Sequence, residues 1–305
     1  MDWSDRHYRY FMRQVNASAF LYTEMITTGA LVHGDVPRHL DFSREEHPVA
    51  LQLGGCDPEE LSLCARKAEI WGYDEINLNI GCPSERVQKG AFGACLMAEP
   101  DLVAECVAAI REAVEVPVTV KHRLGIDRVQ EYEFVRRFVE TVAKAGCRTF
   151  IVHARNAILK GLSPKENREI PPLRYDYVYR LKQDFPHLEI ILNGGLVSKE
   201  QIQEAQNRVD GAMVGRAAYH DPWVLSDGAK TRADVVLSMK QYCERHPGFP
   251  LRSVARHMLG LYHGTRRAKL WRRMLSDPAL LARNDPALLL EAMEAVEVRG
   301  IMQAA

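Results

Sequence analysis

Glu75-Ile76-Asn77-Leu78-Asn79-Ile80 is a stretch in which polar and apolar residues alternate, with the period of a β-strand. It predicts one strand face with Asn77 and Asn79 and an apolar opposite face. The following Gly81-Cys82-Pro83-Ser84 predicts a stiff turn that presents Cys82 at the carboxyl end of the strand, with an unusual backbone angle at Gly81. Glycines at 90 and 93 are expected to let a second loop lie close to Cys82. The alternative is a cysteine that merely packs in the core.

Outward from this stretch, short β-like runs alternate with longer amphipathic segments. The runs lie at 21–23, 49–53, 76–79, 118–121, 149–153, 189–193 and 211–214, and helices fit 58–70, 100–114, 130–144 and 199–207. Such alternation is typical of a parallel sheet. Seven evenly spaced runs favour an α/β fold of the (β/α)₈ TIM-barrel type with one strand missing, rather than an open doubly wound sheet.

Composition sets limits on the class of protein. The chain has 305 residues and a formal net charge of +0, so overall charge does not support a nucleic-acid partner, and such a partner has to be argued from a local patch. We find no apolar run of membrane-spanning length and no secretory leader. The 7 cysteines lack paired metal-ligand spacing and are expected to be reduced thiols in the cytoplasm, with no metal bound.

Polar residues recur where the predicted strands end. They are Gln52, Asn79, Lys121, His153 and Asn193. In a (β/α)₈ barrel these carboxyl ends form the edge that carries the active site, and the loops after the last two strands commonly bind phosphate. The backbone amides of Gly194, Gly195 and Gly215 suit a phosphate group, with Arg216 as its counter-ion.

The strand pattern stops after about residue 223, and segments 232–245, 252–263, 268–275 and 287–296 predict short helices. Residues 251–276 contain basic side chains, no acidic ones, and interleaved aromatics, Tyr262 and Trp271 among them. A solvated helix face with packed aromatics is one interpretation. Confinement of the charge to one stretch of a neutral chain favours a surface that contacts a phosphate backbone.

Several motifs together resemble the tRNA-dihydrouridine synthases. They are residues 78–84, 93–97 (Gly-Ala-Cys-Leu-Met), 118–123 (Val-Thr-Val-Lys-His-Arg), 152–155 (Val-His-Ala-Arg) and 193–195 (Asn-Gly-Gly). Arg6-His7, residues 22–25 and the loop 162–169 resemble subfamily A, which acts on D-loop uridines at positions 20 and 20a. The resemblance continues through His257 and Trp271 into the helical tail.

The resemblance implies an FMN-dependent oxidoreductase that reduces uridine to 5,6-dihydrouridine in tRNA, with NADPH as reductant. It implies a flavin-binding catalytic barrel over 1–225 and a helical tRNA-binding domain over 226–305. The cofactor residues that it implies are Met1, Gln52, Lys121, His153, Asn193, Gly194, Gly195, Gly215 and Arg216. The substrate and tRNA residues that it implies are Asn79, Arg155, Lys165, Arg168, Arg272 and Arg273.

The resemblance makes Cys82 the catalytic acid, and elementary chemistry agrees with that role. Reduction of the uracil C5–C6 bond needs a hydride at C6 and a proton at C5. A thiol with an ordinary pKa near 8.5 is mostly protonated at neutral pH and can deliver that proton. Lys121 and Arg123 are expected to stabilise negative charge that develops during the reduction. The target uridine has to leave its stack to be reached.

In the family, one further barrel strand precedes the motif that begins here at Met1. We therefore expect unpaired sheet edges at the strands around Thr23 and Val214, and hypothesise that the natural start lies upstream. Two alternatives stay open. One is a flavin-dependent reductase of a free pyrimidine, similar to the dihydroorotate dehydrogenases, and the other is a truncated, non-catalytic tRNA-binding protein. We expect a monomer with no membrane contact.

Overall fold

The computed structural model describes residues 3–129 and 131–301, with side chains described as far as residue 297. The chain divides into two compact units. The first comprises Met1–Ala19, Ser43–Glu46 and Gly215–Ala305, and the second comprises Phe20–Phe42 and His47–Val214. The second unit contains the β-sheet, and the first is helical in the part of the chain that the structure describes.

Seven strands form one sheet. They are β1 (Leu21–Thr27), β2 (Val49–Gly54), β3 (Glu75–Ile80), β4 (Val118–Arg123), β5 (Thr149–His153), β6 (Glu189–Asn193) and β7 (Gly211–Met213). All neighbouring pairs are parallel and the strands lie in chain order, which confirms the barrel-type prediction over a doubly wound sheet. Among the described residues, β1 and β7 each pair on one side only.

The sheet curls as a barrel wall does. Lys121 on β4 donates to Asn193 Oδ1 on β6 across the intervening strand, at 3.2 Å. At the opposite edge, Tyr22 on β1 hydrogen-bonds to Glu75 on β3, and Glu189 on β6 acts electrostatically on both. An electrostatic interaction between side chains of β1 and β6 requires a strongly curved sheet. The fold is α/β, an incomplete (β/α)₈ barrel followed by a helical region.

Helices follow most strands and make up the rest of the chain. In chain order they are α1 (Arg6–Val15), α2 (Thr28–His33), α3 (Val36–Leu40), α4 (Pro58–Trp71), α5 (Glu85–Lys89), α6 (Pro100–Ala113), α7 (Tyr132–Lys144), α8 (Tyr175–Asp184), α9 (Lys199–Gln206), α10 (Arg216–His220), α11 (Arg232–Arg245), α12 (Leu251–Met258), α13 (Ala268–Ser276), α14 (Pro278–Ala282) and α15 (Ala287–Ile301). Short 3₁₀ helices occur at Arg44–Glu46, Gly93–Ala98, Glu166–Arg168 and Pro222–Leu225. The predicted helices agree to within a few residues at most ends, although the first predicted residue of 130–144 lies outside the described residues and the segment predicted at 252–263 is helical only as far as Met258.

Helix α4 shows how local sequence sets these boundaries. Asp57 caps its first turn by accepting the Glu60 N–H at 2.9 Å, and Pro58 occupies the first turn, where a missing N–H is harmless. Gly72 ends the helix with φ of 100°, in the left-handed region that glycine tolerates. Helix α4 packs beside α6, and the apolar face of β3 (Ile76, Leu78 and Ile80) is fully buried.

The first unit has its own core. Asp5 caps α1 through the N–H groups of His7 and Tyr8, and α1 packs on α11 and α12. Arg9 on α1 and Glu46 form a buried ion pair at 2.6 Å. Across residues 3–129 and 131–301, no helix is both long and apolar enough to cross a membrane.

Candidate active site at the carboxyl edge of the sheet

The turn that carries Cys82 is held by a side chain of the strand before it. Asn79 Oδ1 accepts the backbone N–H of Cys82 at 2.9 Å and that of Gly81 at 3.1 Å. The Cys82 side chain is partly exposed, and its Sγ lies 3.5 Å from the Ser84 hydroxyl. The unusual angle expected at Gly81 is absent, since its φ lies outside the left-handed region. The Asn79 side chain therefore fixes the turn, a role that the sequence suggested for the backbone of Gly81.

A second loop lies directly against the turn, as expected from the glycines. Ala94 N–H donates to the Cys82 carbonyl oxygen at 2.9 Å. Gly93 has a φ of 76°, and a Cβ atom there would lie 2.6 Å from that carbonyl oxygen. Cys95, in the same loop, lies 3.2 Å from the Phe92 carbonyl, and burial raises the pKa of its thiol. The Cys82 turn is consequently fixed from two sides.

Two cations lie beside the turn, the partly buried Lys121 and the buried Arg123. Lys121 and Arg123, two residues apart on β4, both interact electrostatically with Cys82. Burial, reinforced by Arg123, lowers the pKa of Lys121 to about 8, so that its amine stays mostly protonated at neutral pH. The Lys121 Nζ donates to Asn193 Oδ1. The structure thus brings together three of the predicted strand ends, those of β3, β4 and β6.

The predicted phosphate residues divide between the two units. Asn193 ends β6 and Gly194 and Gly195 follow it in the second unit, whereas Gly215 caps α10 and Arg216 begins it in the first. Gly194 and Gly195 have φ of 107° and 73°. The Gly194 carbonyl accepts from the Tyr175 hydroxyl at 2.6 Å, and Asn193 Nδ2 donates to the Met213 carbonyl at 2.8 Å. Met1 lies outside the described residues.

His153 and Gln52, two further predicted cofactor residues, are buried at strand ends. A Cβ atom on Gly194 would lie 3.0 Å from the His153 ring, so that backbone and imidazole are in close contact. Gln52 uses both ends of its amide internally. It donates to Asn77 Oδ1 at 2.8 Å and accepts from Asn79 Nδ2 at 2.7 Å.

Arg123 has a role that the sequence did not reveal. Its guanidinium donates to three backbone carbonyls, those of Gly81, Asn156 and Asn167, each at 2.9 Å. The buried Asn167 in turn closes the loop 158–169 by donating to three of its carbonyls, among them that of Ile158 at 2.9 Å. Arg123 therefore ties the Cys82 turn to the loop predicted to contact tRNA, as well as contributing positive charge.

The loop residues predicted to contact tRNA differ in exposure. Lys165 is exposed, and Arg168 is partly exposed at the end of the 3₁₀ turn. Arg155 donates to the Pro171 carbonyl. Both Arg168 and Arg155 act electrostatically on Arg123, which makes this part of the second unit strongly positive.

Three further buried polar residues lie beneath the carboxyl edge, and the sequence pattern assigned none of them a role: Glu75, Asn77 and Thr119. Asn77 Nδ2 donates to Thr119 Oγ1 at 2.8 Å, and Thr119 donates to Glu75 Oε1 at 2.6 Å. The alternation in β3 places Asn77 on the same face as Asn79, and this was the available signal. Its partners on β2 and β4 depend on the strand register, which the sequence does not display.

Burial raises the pKa of Glu75 to about 7, even though the Thr119 and Tyr22 hydroxyls stabilise its charged form and Glu189 opposes it. Because the folded state holds this proton more tightly than the unfolded state, stability should fall between about pH 4.5 and 7, by roughly 3 kcal/mol. We expect Glu75→Gln to remove this loss, so that it is more stable than the parent at pH 8 but not at pH 4. Urea denaturation at both pH values tests this, with the exposed Glu112→Gln as control. A Glu75→Gln variant with the parent's pH dependence would contradict the raised pKa.

The basic stretch 251–276 resolves into exposed cations over a packed core. Trp271 and Tyr262 are buried, and the Trp271 indole donates to the Met258 carbonyl at 2.8 Å. Trp271 and Tyr262 are thus core residues, as the packed-aromatic interpretation held, and are not free to stack on bases. Arg272 and Arg273 are exposed on α13, and within the described residues neither has an ion-pair partner. Arg256, by contrast, pairs with Asp5 at 2.6 Å.

The sequence of this chain is similar to those of a known protein family. A family model described as dihydrouridine synthase matches residues 1–297. The chain belongs to the dihydrouridine synthase family. The match spans the Cys82 turn, the β4 cations and the helical region, and so includes nearly all the residues considered above.

Curated relatives agree with the family. The tRNA-dihydrouridine(20/20a) synthase of Synechocystis sp. is 56% identical over 317 residues, which cover 100% of this chain and 95% of that protein. The proteins of the same name from Shewanella oneidensis and Escherichia coli strain K12 are 54% and 52% identical and cover 92% and 97% of this chain, and 87% and 89% of their own lengths. Among solved structures, a mandelate oxidase mutant with a monooxide FMN adduct aligns with a TM-score of 0.44 and 16% identity over 79% of this chain and 68% of its own.

Within the described residues, no group of three His, Cys, Asp or Glu side chains could hold a metal ion. All seven cysteines are free thiols. The polar groups at the carboxyl edge of the sheet are amides, an imidazole and cations, a set that suits an anionic organic cofactor.

Proposed function

We propose that this chain is an FMN-dependent tRNA-dihydrouridine synthase that reduces uridine at positions 20 and 20a of the D-loop, with NADPH as reductant. The observation that carries the proposal is a capped Cys82 turn beside Lys121, within a chain over half identical to proteins named for that activity. The reaction is expected in the cytoplasm. We further propose a monomer, with residues 1–225 as the flavin-binding catalytic domain and 226–305 as the tRNA-binding domain.

The residues present fit FMN. Gly194 and Gly195 have φ values that only glycine adopts readily, and the backbone amides of such a turn suit a phosphate. We assign Asn193 and these glycines to the phosphate end, and the cofactor roles that the resemblance implies for Gly215, Arg216 and Met1 stay predictions. Lys121, Gln52 and His153 would hold the ring, where a cation near an anionic reduced flavin is stabilising.

The bound flavin supplies a hydride to C6 of uracil. In the proposed mechanism, Cys82 Sγ–H delivers a proton to C5, and Lys121 balances the negative charge that builds up nearby. Asn79 faces the substrate with its remaining amide hydrogen, because its oxygen already accepts from Gly81 and Cys82. Lys165, Arg168 and Arg155 are assigned to the tRNA backbone near the flipped base.

Arg272 and Arg273 are assigned to tRNA phosphates. We expect the double variant Arg272→Ala/Arg273→Ala to weaken tRNA binding and to reduce the slope of log K against log salt by about 1 to 2. Filter binding between low and moderate salt measures this. Arg283→Ala is the matched control, because that exposed arginine is already paired with Glu291 at 2.9 Å. An unaltered slope in the double variant would leave these arginines as an ordinary solvated face.

The decisive experiment incubates the purified full chain with FMN, NADPH and an unmodified tRNA transcript, and measures dihydrouridine by mass spectrometry of nucleosides. Flavin absorbance that persists through gel filtration should accompany activity. Free uridine and orotate replace the tRNA in parallel reactions, because a small-molecule reductase would need no exposed arginines on α13. Reduction of a free pyrimidine without activity on tRNA would overturn the proposal.

A further inference from the structure

A chain of hydrogen bonds runs through the inner face of the sheet from its amino edge to the Cys82 turn. It passes from Glu75 to Thr119, Asn77, Gln52 and Asn79, and every link measures between 2.6 and 2.8 Å. From Asn79 it continues to the N–H groups of Gly81 and Cys82. The five side chains are at most 9% exposed, so water does not compete strongly for their polar atoms.

The two ends of this hydrogen-bond chain require the same donor-to-acceptor direction along it. At the lower end, ionised Glu75, which predominates above about pH 7, can only accept, so Thr119 donates its single proton there and must accept from Asn77. At the upper end, the backbone N–H groups of Gly81 and Cys82 can only donate, so Asn79 must present its oxygen to them. The amides between have one orientation that satisfies both ends.

We infer that Glu75, Thr119 and Asn77 are positioning residues for Cys82, because together they fix the amide orientation that lets Asn79 cap the turn. The inference rests on the proposed function, in which Cys82 is the acid. None of the three touches the substrate in this scheme. They lie one to two residue layers below the carboxyl edge and act only through Gln52 and Asn79.

Loss of the Thr119 hydroxyl should remove the constraint on the orientation of the amides in this hydrogen-bond chain. In Thr119→Val, a nearly isosteric change on a strand, Asn77 loses its acceptor and its amide can turn over. Gln52 and then Asn79 would follow, until Asn79 presents an amino group to the N–H groups of Gly81 and Cys82 and the cap fails. A misplaced Cys82 should slow turnover at saturating tRNA by roughly 10- to 100-fold, with KM for tRNA nearly unchanged.

The test measures amide hydrogen exchange in peptides that span residues 79–86 of the full chain, alongside turnover. We expect Thr119→Val to exchange faster at Gly81 and Cys82 by about tenfold or more, as expected when a protecting hydrogen bond opens locally. Thr119→Ser retains the hydroxyl and should restore parental exchange and turnover. Thr149→Val is the matched control, because Thr149 donates to Glu189 at 2.6 Å but is not a link of the chain.

Two results would overturn the inference. One is parental exchange at Gly81 and Cys82 in Thr119→Val, and the other is faster exchange with parental turnover. The exchange measurement needs no tRNA, so it tests the hydrogen-bond chain even if the unmodified protein forms no dihydrouridine. Absence of dihydrouridine formation by the parent protein would count against the proposed function alone.

Discussion

Cys82→Ala should lower the rate of dihydrouridine formation by roughly 10²- to 10⁴-fold, the usual contribution of a positioned general acid. The proton for C5 of uracil would then have to come from water. Binding of tRNA should stay within about twofold, because the alanine removes a partly exposed Sγ and leaves the backbone N–H bonded to Asn79. A single turnover of prereduced protein with tRNA measures the chemical step separately from reduction by NADPH.

Cys95→Ala provides the matched control for this experiment. Cys95 lies in the loop packed on the Cys82 turn, and its thiol faces the Phe92 carbonyl. We expect Cys95→Ala to keep most of its activity. Parental dihydrouridine formation in Cys82→Ala would remove Cys82 from the mechanism, whereas equal losses in both variants would indicate a general disturbance of the two loops.

Gly195→Ala should cost the protein most of its FMN. A Cβ atom at Gly195 would lie 2.5 Å from Leu173 Cδ1 and 2.8 Å from the Tyr175 hydroxyl, which itself holds the Gly194 carbonyl. The left-handed φ of 73° adds strain of about 1 kcal/mol or more, and relief of the overlap has to move the loop that follows β6. We expect FMN to bind at least about tenfold more weakly, as judged by fluorescence titration, since a tenfold loss needs only about 1.4 kcal/mol.

Gly72→Ala is the control that separates the effect of backbone strain from the effect of moving the loop after β6. Gly72 has a φ of 100° at the end of α4, yet a Cβ atom there would meet nothing within 4 Å. The Gly72→Ala variant should lose about as much stability to backbone strain as Gly195→Ala, and it should retain FMN. Parental flavin affinity in Gly195→Ala would contradict the assignment of this loop to the phosphate end.

Periodicity made the fold predictable. Each strand has an apolar face that packs under helices, and turn residues such as Asp57 and Gly72 mark the helix ends, so local sequence determines the order of elements. Parallel strands in that order bring Asn79, Lys121 and Asn193 to one edge, and this part of the candidate site was predictable too. The role assigned to each residue came from family resemblance and awaits the experiments above.

What the sequence did not reveal depends on register and on burial. Thr119 contacts Asn77 because the two are directly opposed in the β3–β4 pairing, and no local pattern encodes that register. Gly81 was expected to provide the turn geometry, but the Asn79 side chain two residues earlier provides it. Trp271 sits among arginines in the sequence and is nonetheless fully buried, because a helix separates neighbours onto opposite faces.

The burial of Trp271 has a practical consequence for spectroscopy. Of the 4 tryptophans, only Trp71 belongs to the second unit, and it is 37% exposed, whereas Trp271 lies in the core of the first. Its indole emission should be blue-shifted and should move to longer wavelengths when the helical unit unfolds. A Trp71→Phe protein would report on that unit alone by fluorescence. The unfolding of the helical unit can thus be followed separately in the intact chain, without an introduced dye.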